Sequence, residues 1–397
     1  MRIARVLTRL NLGGPARQAL AADTRLVRRG HTVRLFTGRP QPGEGDLVDE
    51  FRSRGLDVVR VPGLRRGIAP VRDLLALRFL RRELGAFEPD VVHTHASKAG
   101  TLGRRALARA RHARTARVHT FHGHVLEGYF PAAISRRLVA HERRLADRTD
   151  RIVAVSHATA EDLLRLGVCG EERLCVVQPG IELDALLALK RPATVAGPLR
   201  AELGAGAEEV LVGVVGRLAE VKRPELALEL FGLLAARYPG LHLVFVGDGS
   251  LRGTIERSIR ALGEEGRRRC HLLGARADMT SVLADLDIVL STSRQEGMPV
   301  ALIEAAAAGL PVVATDVGGV SELVAHERTG FLGQSQEELG FGLAQLLEDP
   351  AERRAMGERA RLRIGTRHSA ERLAERLEEL YVAVIAERTG APAGETG

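Results

Sequence analysis

Short apolar runs alternate along the chain with longer stretches in which apolar residues recur every three or four positions. Residues 3–8, 32–37, Val91–His95, 118–122 and 151–156 have the length and β-branched content of buried strands. Residues 16–29, 70–84 and 98–111 carry the helical period between them. This alternation predicts a parallel sheet covered by helices on both faces. The rhythm breaks over residues 178–203, where Pro179, Gly180, Pro192, Gly197 and Pro198 cluster. It then restarts, with strands expected at Val210–Val215, Leu241–Val246, 271–273, Ile288–Ser291 and Val312–Thr315 and helices at 224–237, 251–262, 299–308 and 336–347. The predicted fold is α/β, with two facing Rossmann-like, doubly wound domains and a cleft between them. The domains are expected at 1–180 and 209–369, joined by a linker at 181–208. A final helix within 370–390 is long enough to cross back onto the first domain.

Doubly wound sheets bind ligands at the carboxyl ends of their strands, so the loops there are the places to look for chemistry. After the first strand comes Asn11-Leu12-Gly13-Gly14-Pro15, where glycines admit a ligand close to the backbone and a helix N-terminus follows. After the first strand of the second domain comes Gly216-Arg217-Leu218-Ala219-Glu220-Val221-Lys222. A guanidinium and an ammonium on one such loop suit a diphosphate. Lys222 is one of only three lysines in the chain. The run Glu296-Gly297-Met298-Pro299-Val300-Ala301-Leu302-Ile303-Glu304 places a proline at a helix start and leaves the Val300 and Ala301 N–H groups to face an anion. Glu296 precedes that helix, and Glu304 interrupts its apolar run, where a carboxylate is costly unless it is paired or bound to a ligand. Both suit hydroxyl-rich partners: a sugar at Glu296 and a ribose at Glu304.

Five histidines, His93, His95, His119, His122 and His124, gather at the ends of two neighbouring strands. No carboxylate joins them at ligand spacing, so a polar cleft wall is a better reading than a metal site. His122 is the candidate to touch the reacting ligand. Lys98 begins the next helix and is the candidate to hold a phosphate, with His95 and His124 on the acceptor side. Asp285-Leu286-Asp287 has the form of a metal–nucleotide motif but lies where a helix turns into a strand, and reads as structural.

Composition narrows the class. The 397 residues are 45% hydrophobic and 27% charged, which excludes wholesale disorder and collagen-like structure. No apolar run approaches the length of a membrane span, and the first residues read as a strand rather than a signal peptide. Three cysteines without metal-like spacing suit a reducing compartment. The net charge of +8 is unevenly divided: residues 1–180 hold 33 Lys and Arg against 18 Asp and Glu, leaving 25 against 32 for the remainder. A basic first half suggests an anionic partner. Two arginine stretches, one from Arg104 and Arg105 through Arg109, Arg111 and Arg114 to Arg117 and one of Arg136, Arg137, Arg143 and Arg144, adjoin Leu102, Leu107, Leu138 and Val139 and suit an anionic bilayer. Nucleic acid is the alternative partner, but aromatics are 3% and tryptophan is absent, so stacking platforms are scarce.

Taken together, the Gly13-Gly14 loop, the Arg217/Lys222 pair and the Glu296–Glu304 spacing continuing into Ala308-Gly309-Leu310-Pro311 and Asp316-Val317-Gly318-Gly319 resemble the family four retaining glycosyltransferases of GT-B fold. His93-Thr94-His95-Ala96-Ser97-Lys98 and Thr120-Phe121-His122-Gly123-His124 resemble a bacterial subgroup acting on surface polysaccharides and glycoconjugates. The resemblance implies a nucleotide-diphosphate sugar as co-substrate, with UDP favoured and GDP the alternative, a glycan, lipid-linked or small-molecule acceptor, and no metal or other cofactor. It implies that Arg217 and Lys222 hold the diphosphate with the N–H groups of Val300 and Ala301, that Glu304 holds the ribose and Glu296 the donor sugar, that Arg276 lies at the base pocket, and that Gly14 lets the first loop approach the phosphates. His122 would contact the donor sugar. Met298-Pro299 stands where the family often has Phe-Gly, and Pro15-Ala16-Arg17-Gln18 lacks a Glu common beside the glycine loop. The expected setting is the cytoplasm, at the inner face of the cytoplasmic membrane, with no nucleic-acid partner. A nucleotide-sugar epimerase of the same fold is the rival enzyme.

Overall fold

The computed structural model describes residues 1–41, 44–67, 69–107, 114–123, 126–127, 130–189, 197–365 and 367–390. The chain forms two compact units: Met1–Ile181 with the segment from His368 onward, and Glu182–Arg367. The first unit holds the strands β1 (Arg2–Arg9), β2 (Thr32–Gly38), β3 (Asp57–Arg60), β4 (Val91–His95), β5 (Ala116–Phe121), β6 (Arg151–Ala154) and β7 (Leu174–Val176). They pair in parallel in the order β3-β2-β1-β4-β5-β6-β7. The second unit holds β8 (Val210–Val215), β9 (Leu241–Val246), β10 (Cys270–Gly274), β11 (Ile288–Ser291), β12 (Val312–Thr315) and β13 (Gly330–Gly333), all parallel, in the order β10-β9-β8-β11-β12-β13. Each unit is Rossmann-like, as expected.

Each order reverses beside the unit's first strand, at β1/β4 and at β8/β11. Loops leaving these strands diverge to opposite faces and open a crevice at the carboxyl edge. The glycine loop follows β1, and the Arg217 loop follows β8.

Three strands escape the sequence pattern. β3, β7 and β13 have four, three and four residues and lie at the sheet edges. Runs this short carry little periodicity, and β13 begins and ends in glycine. The helix expected over 98–111 spans only Ser97–Ala106, and 108–113 lie outside the described residues.

The helix Ala370–Thr389 belongs to the first unit and packs on the helix Gly14–Arg28. Ser369 caps its start by accepting from the Arg372 N–H, and Gly390 ends it in the left-handed conformation. Leu373, Leu377, Tyr381 and Val384 recur at helical spacing and are buried with Ile3, Val91, Val118 and Val153. Each such side chain contributes about 1.5–3 kcal/mol through burial, so the terminal helix is part of this unit's core.

Candidate functional site

The two carboxyl edges carry different kinds of cluster. In the first unit, Arg5 lies in register with His93, and His95 with Thr120. Side chains alternate along a strand, so Arg5, His93, His95 and Thr120 share one face. The guanidinium of Arg5 is fully buried. Its Nε donates to both Asp23 oxygens at 2.6 and 2.9 Å, Nη1 to His95 Nε2 at 2.8 Å, and Nη2 to the Tyr381 hydroxyl at 3.3 Å. Tyr381 also meets His93 Nδ1 at 2.6 Å, and His93 Nε2 meets Thr120 Oγ1 at 2.7 Å. His95 Nδ1 lies 2.9 Å from His122 Nε2, and the rings of His93, His95 and His122 stack in sequence. On the opposite face His119 Nδ1 meets Thr94 Oγ1 at 2.8 Å.

Burial, followed by the Arg5 charge, lowers the pKa of His122 to about 4. His93, His95 and His119 are held well below the ordinary imidazole value, with burial the largest cause. All four rings are therefore neutral at pH 7. A cation at the centre of the cluster also opposes a metal ion among these rings. Burial raises the Asp23 carboxyl to about 6 against the pull of Arg5.

Gly13 has ordinary extended backbone, and Gly14 opens the helix Gly14–Arg28 with Pro15 behind it. Ala96, between His95 and the helix Ser97–Ala106, takes a positive φ of 60° that turns the chain sharply at the edge. Lys98 does not present a free ammonium: it donates to the Gly67 carbonyl at 2.6 Å and pairs with Asp73. An acceptor phosphate would have to displace these partners. His124 lies outside the described residues.

In the second unit, the loops after β8 and β11 are tied together. Thr292 Oγ1 donates to the carbonyls of Lys222 and Arg223 at 2.9 and 2.8 Å, and the Arg294 N–H to that of Val221 at 2.8 Å. Lys222 is thereby brought onto Glu296, with which it forms an ion pair; Ser293 Oγ donates to the same carboxylate oxygen at 2.6 Å. Gly318, at φ 54°, backs this loop so closely that a Cβ would stand 1.8 Å from the Glu296 carbonyl oxygen. Arg217 is exposed, and its guanidinium has no hydrogen bond or ion pair among the described residues.

The helix Val300–Ala307 starts beside the pair with Pro299 as its cap, one position earlier in role than the sequence suggests. The Leu302 and Ile303 N–H groups already donate to the Pro299 carbonyl, whereas those of Val300 and Ala301 precede the first helical bond. Met298 and Glu304 are buried. Arg276, after β10, is bidentate to Asp278 at 2.8 Å for both bonds and meets Glu202 at 3.1 Å, so its side chain is committed to carboxylates. Asp285 and Asp287 are structural. The former accepts from the N–H groups of Leu199 and Arg200 at 2.7 and 3.3 Å, and the latter from Leu211 at 2.9 Å while pairing with Arg200.

The first arginine stretch is divided: Arg105 and Arg114 are exposed, whereas Arg104 is not. Arg104 is buried against Glu142 at 2.6 Å, and Leu102 and Leu107 are core residues. Arg109 and Arg111 lie outside the described residues. Leu138 and Val139 of the second stretch pack against the core beside Ile152 and Leu163. Among the described residues of the first unit, exposed large apolar side chains include Val71, Leu74 and Leu75 on the helix Pro70–Phe87, and Phe130 and Ile134 around the start of the helix Ala132–Ala146; the second unit exposes others, Leu233, Phe341 and Leu362 among them. Arg72, Arg78, Arg136 and Arg137 are exposed among those of the first unit. No helix among the described residues is long and apolar enough to cross a membrane.

Sequence reasoning missed Arg5, Asp23 and Tyr381. The signal was present: an arginine inside the apolar run Ile3-Ala4-Arg5-Val6-Leu7 demands a buried acid.

Comparison with known proteins gives consistent matches. The profile for "Glycosyl transferases group 1" matches residues 197–363, and that for "Glycosyltransferase Family 4" matches residues 12–185. A D-inositol 3-phosphate glycosyltransferase from Xylanimonas cellulosilytica is 30% identical over 383 residues, covering 91% of this chain and 88% of its own. The Escherichia coli UDP-Gal:alpha-D-GlcNAc-diphosphoundecaprenol alpha-1,3-galactosyltransferase is 27% identical over 395 residues, 97% of both chains. Among solved structures, Anabaena HepE in complex with UDP and glucose superposes with a TM-score of 0.80 at 21% identity, over 96% of this chain and 100% of its own. The lipopolysaccharide glycosyltransferase WaaG does so at 0.75 and 22%, over 96% and 99%.

Proposed function

Given that the chain belongs to the group 1/family 4 glycosyltransferases, we propose that it moves a hexose or N-acetylhexosamine from a UDP-sugar to a lipid-linked glycan acceptor, with anomeric retention and without a metal. The observation that carries the reading is the loop pair of the second unit, where exposed Arg217 and the Lys222–Glu296 pair adjoin the free N–H groups of Val300 and Ala301. Lys222 and Glu296 satisfy each other. A bound donor would exchange that contact for two better ones, its diphosphate taking Lys222 and a sugar hydroxyl taking Glu296. Glu304 would hold the ribose. Negative charge grows on the diphosphate as the glycosidic bond breaks, and fixed positive groups aimed there lower the barrier. This supplies the electrostatic stabilisation that a metal ion gives in other transferases.

A UDP donor is favoured by the E. coli relative, named for UDP-Gal, and by HepE, solved with UDP. A lipid-linked acceptor is favoured by the same E. coli name and by the exposed apolar and basic side chains of the helices beginning at Pro70 and Ala132. These would rest on the anionic inner face of the cytoplasmic membrane.

The test is incubation with UDP-glucose, UDP-galactose and UDP-N-acetylglucosamine, with and without a polyprenyl-diphosphate-linked sugar and in excess EDTA. We expect UDP release that depends on the acceptor, survives EDTA and yields an α-linked product by NMR. Acceptor-independent release with an isomerised sugar would mark an epimerase instead. Flotation with anionic vesicles tests the membrane contact; Val71→Ser with Leu75→Ser should abolish co-flotation, and equal recovery of wild type with neutral vesicles would remove it.

A further inference from the structure

The first unit's cluster determines where the protons sit. A guanidinium only donates, so His95 Nε2, 2.8 Å from Arg5 Nη1, is an acceptor. A neutral imidazole that accepts at Nε2 carries its proton on Nδ1. That Nδ1–H faces His122 Nε2 at 2.9 Å, so His122 in turn accepts at Nε2 and carries its proton on Nδ1. His122 Nδ1 is buried and has no hydrogen-bond partner among the described residues. A chain of bonds thus runs from Asp23 through Arg5, His95 and His122 and ends on one unused N–H at the carboxyl edge of the sheet.

We propose that Arg5 and His95 are positioning residues that lock His122 in the Nδ1–H tautomer, so that it meets bound substrate at the carboxyl edge of the first unit's sheet as a hydrogen-bond donor and not as a base. Asp23 holds the guanidinium in place with two bonds. The cation at the head polarises each ring toward itself and makes the terminal N–H a stronger donor. The stacked rings of His93, His95 and His122 limit rotation away from this geometry. That the substrate is one of sugar transfer rests on the function proposed above; the tautomer rests on the hydrogen bonds alone.

The experiment separates the two. In the full chain labelled with ¹⁵N-histidine, two-bond ¹H–¹⁵N spectra report which ring nitrogen of His122 is protonated, with His122→Phe assigning the signal. We expect a protonated Nδ1 and a bare Nε2 at neutral pH. His95→Leu removes the relay and should release His122 to the other tautomer or to a mixture. With whichever UDP-sugar the wild type consumes, kcat should fall roughly 10- to 100-fold while KM for that donor changes little. A glutamine amide can accept from Arg5 and donate to His122, so His95→Gln should restore the tautomer and recover most of the lost turnover. A wild-type His122 protonated on Nε2 overturns the proposal, as does a His95→Leu variant that keeps both the Nδ1 proton and full turnover. Absence of transfer with every UDP-sugar, alongside the expected spectrum, would instead remove the sugar-transfer reading and leave the tautomer standing.

Discussion

The two strand-end clusters solve the problem of holding charge in opposite ways. In the first unit Arg5 and Asp23 are at most 1% exposed, and the rings around them are knitted to each other. Taking such a pair from water is costly, so every partner must stay in place. In the second unit Arg217 is exposed and Lys222 leans on a single carboxylate. That pair is only partly buried, with Lys222 28% and Glu296 10% exposed, so a ligand that replaces each contact can exchange for it. On the proposed function, the buried charge of the first unit serves position, while the more accessible charges of the second serve binding.

The sharpest way to break this contrast is to remove the exchangeable charges. Lys222→Ala and Glu296→Ala should each lower transfer by about 10³-fold or more, with the melting temperature nearly unchanged. Near-normal turnover at saturating donor would assign both residues to structure. Next, Arg5→Met should do the reverse and act on stability. An unpaired buried Asp23 costs about 3–5 kcal/mol, and the Arg5→Met/Asp23→Leu double variant should regain most of it in thermal unfolding. A single variant that melts with the wild type would mean that the cluster is not held by its ion pair.

Acid should distinguish the units too. The four neutral rings have folded-state pKa values below the free-imidazole value, with His122 at about 4. As pH falls below about 6.5 the unfolded chain takes up protons that the folded unit refuses, so stability is lost, for His122 down to about pH 4 at about 1.4 kcal/mol per pH unit, with the other three rings acting in the same direction. Asp23, raised to about 6, acts in the opposite sense, losing stability as pH rises from about 4 to 6, but it is one group against four. Hydrogen exchange corrected for intrinsic rate should show β1, β4 and β5 opening as pH is lowered to 5. Protection there that does not fall would contradict the assigned neutrality. The smallest effect is expected at Arg276, whose exposed pairs with Asp278 and Glu202 are worth about 0–1 kcal/mol. Arg276→Ala should leave melting almost unmoved, and a loss of several kcal/mol would show a role beyond these pairs.

Much of the fold was legible in the sequence because long apolar strands and loops marked by glycine, proline and charge leave strong marks. Val210–Val215, Leu241–Val246, Ile288–Ser291 and Val312–Thr315 are apolar runs bounded by turn residues, and their ends match the observed strands. The second unit's candidate residues are carried on two short segments, so loop chemistry together with the family resemblance pointed to Arg217, Lys222 and Glu296. The first unit's cluster joins residues up to 376 positions apart, as in the Arg5–Tyr381 bond, and no local pattern reveals such a pairing. The same limit explains Lys98 and Arg104. Each looks like a free surface cation until the fold brings Asp73 or Glu142 against it.

The central claim is that the loops after β8 and β11 grip a diphosphate, and calorimetric titration of UDP into the full chain tests it directly. The account predicts that Arg217→Ala and Lys222→Ala each weaken UDP by roughly 10- to 100-fold, the loss of one charge-assisted contact. Equal affinity in wild type and both variants would contradict it.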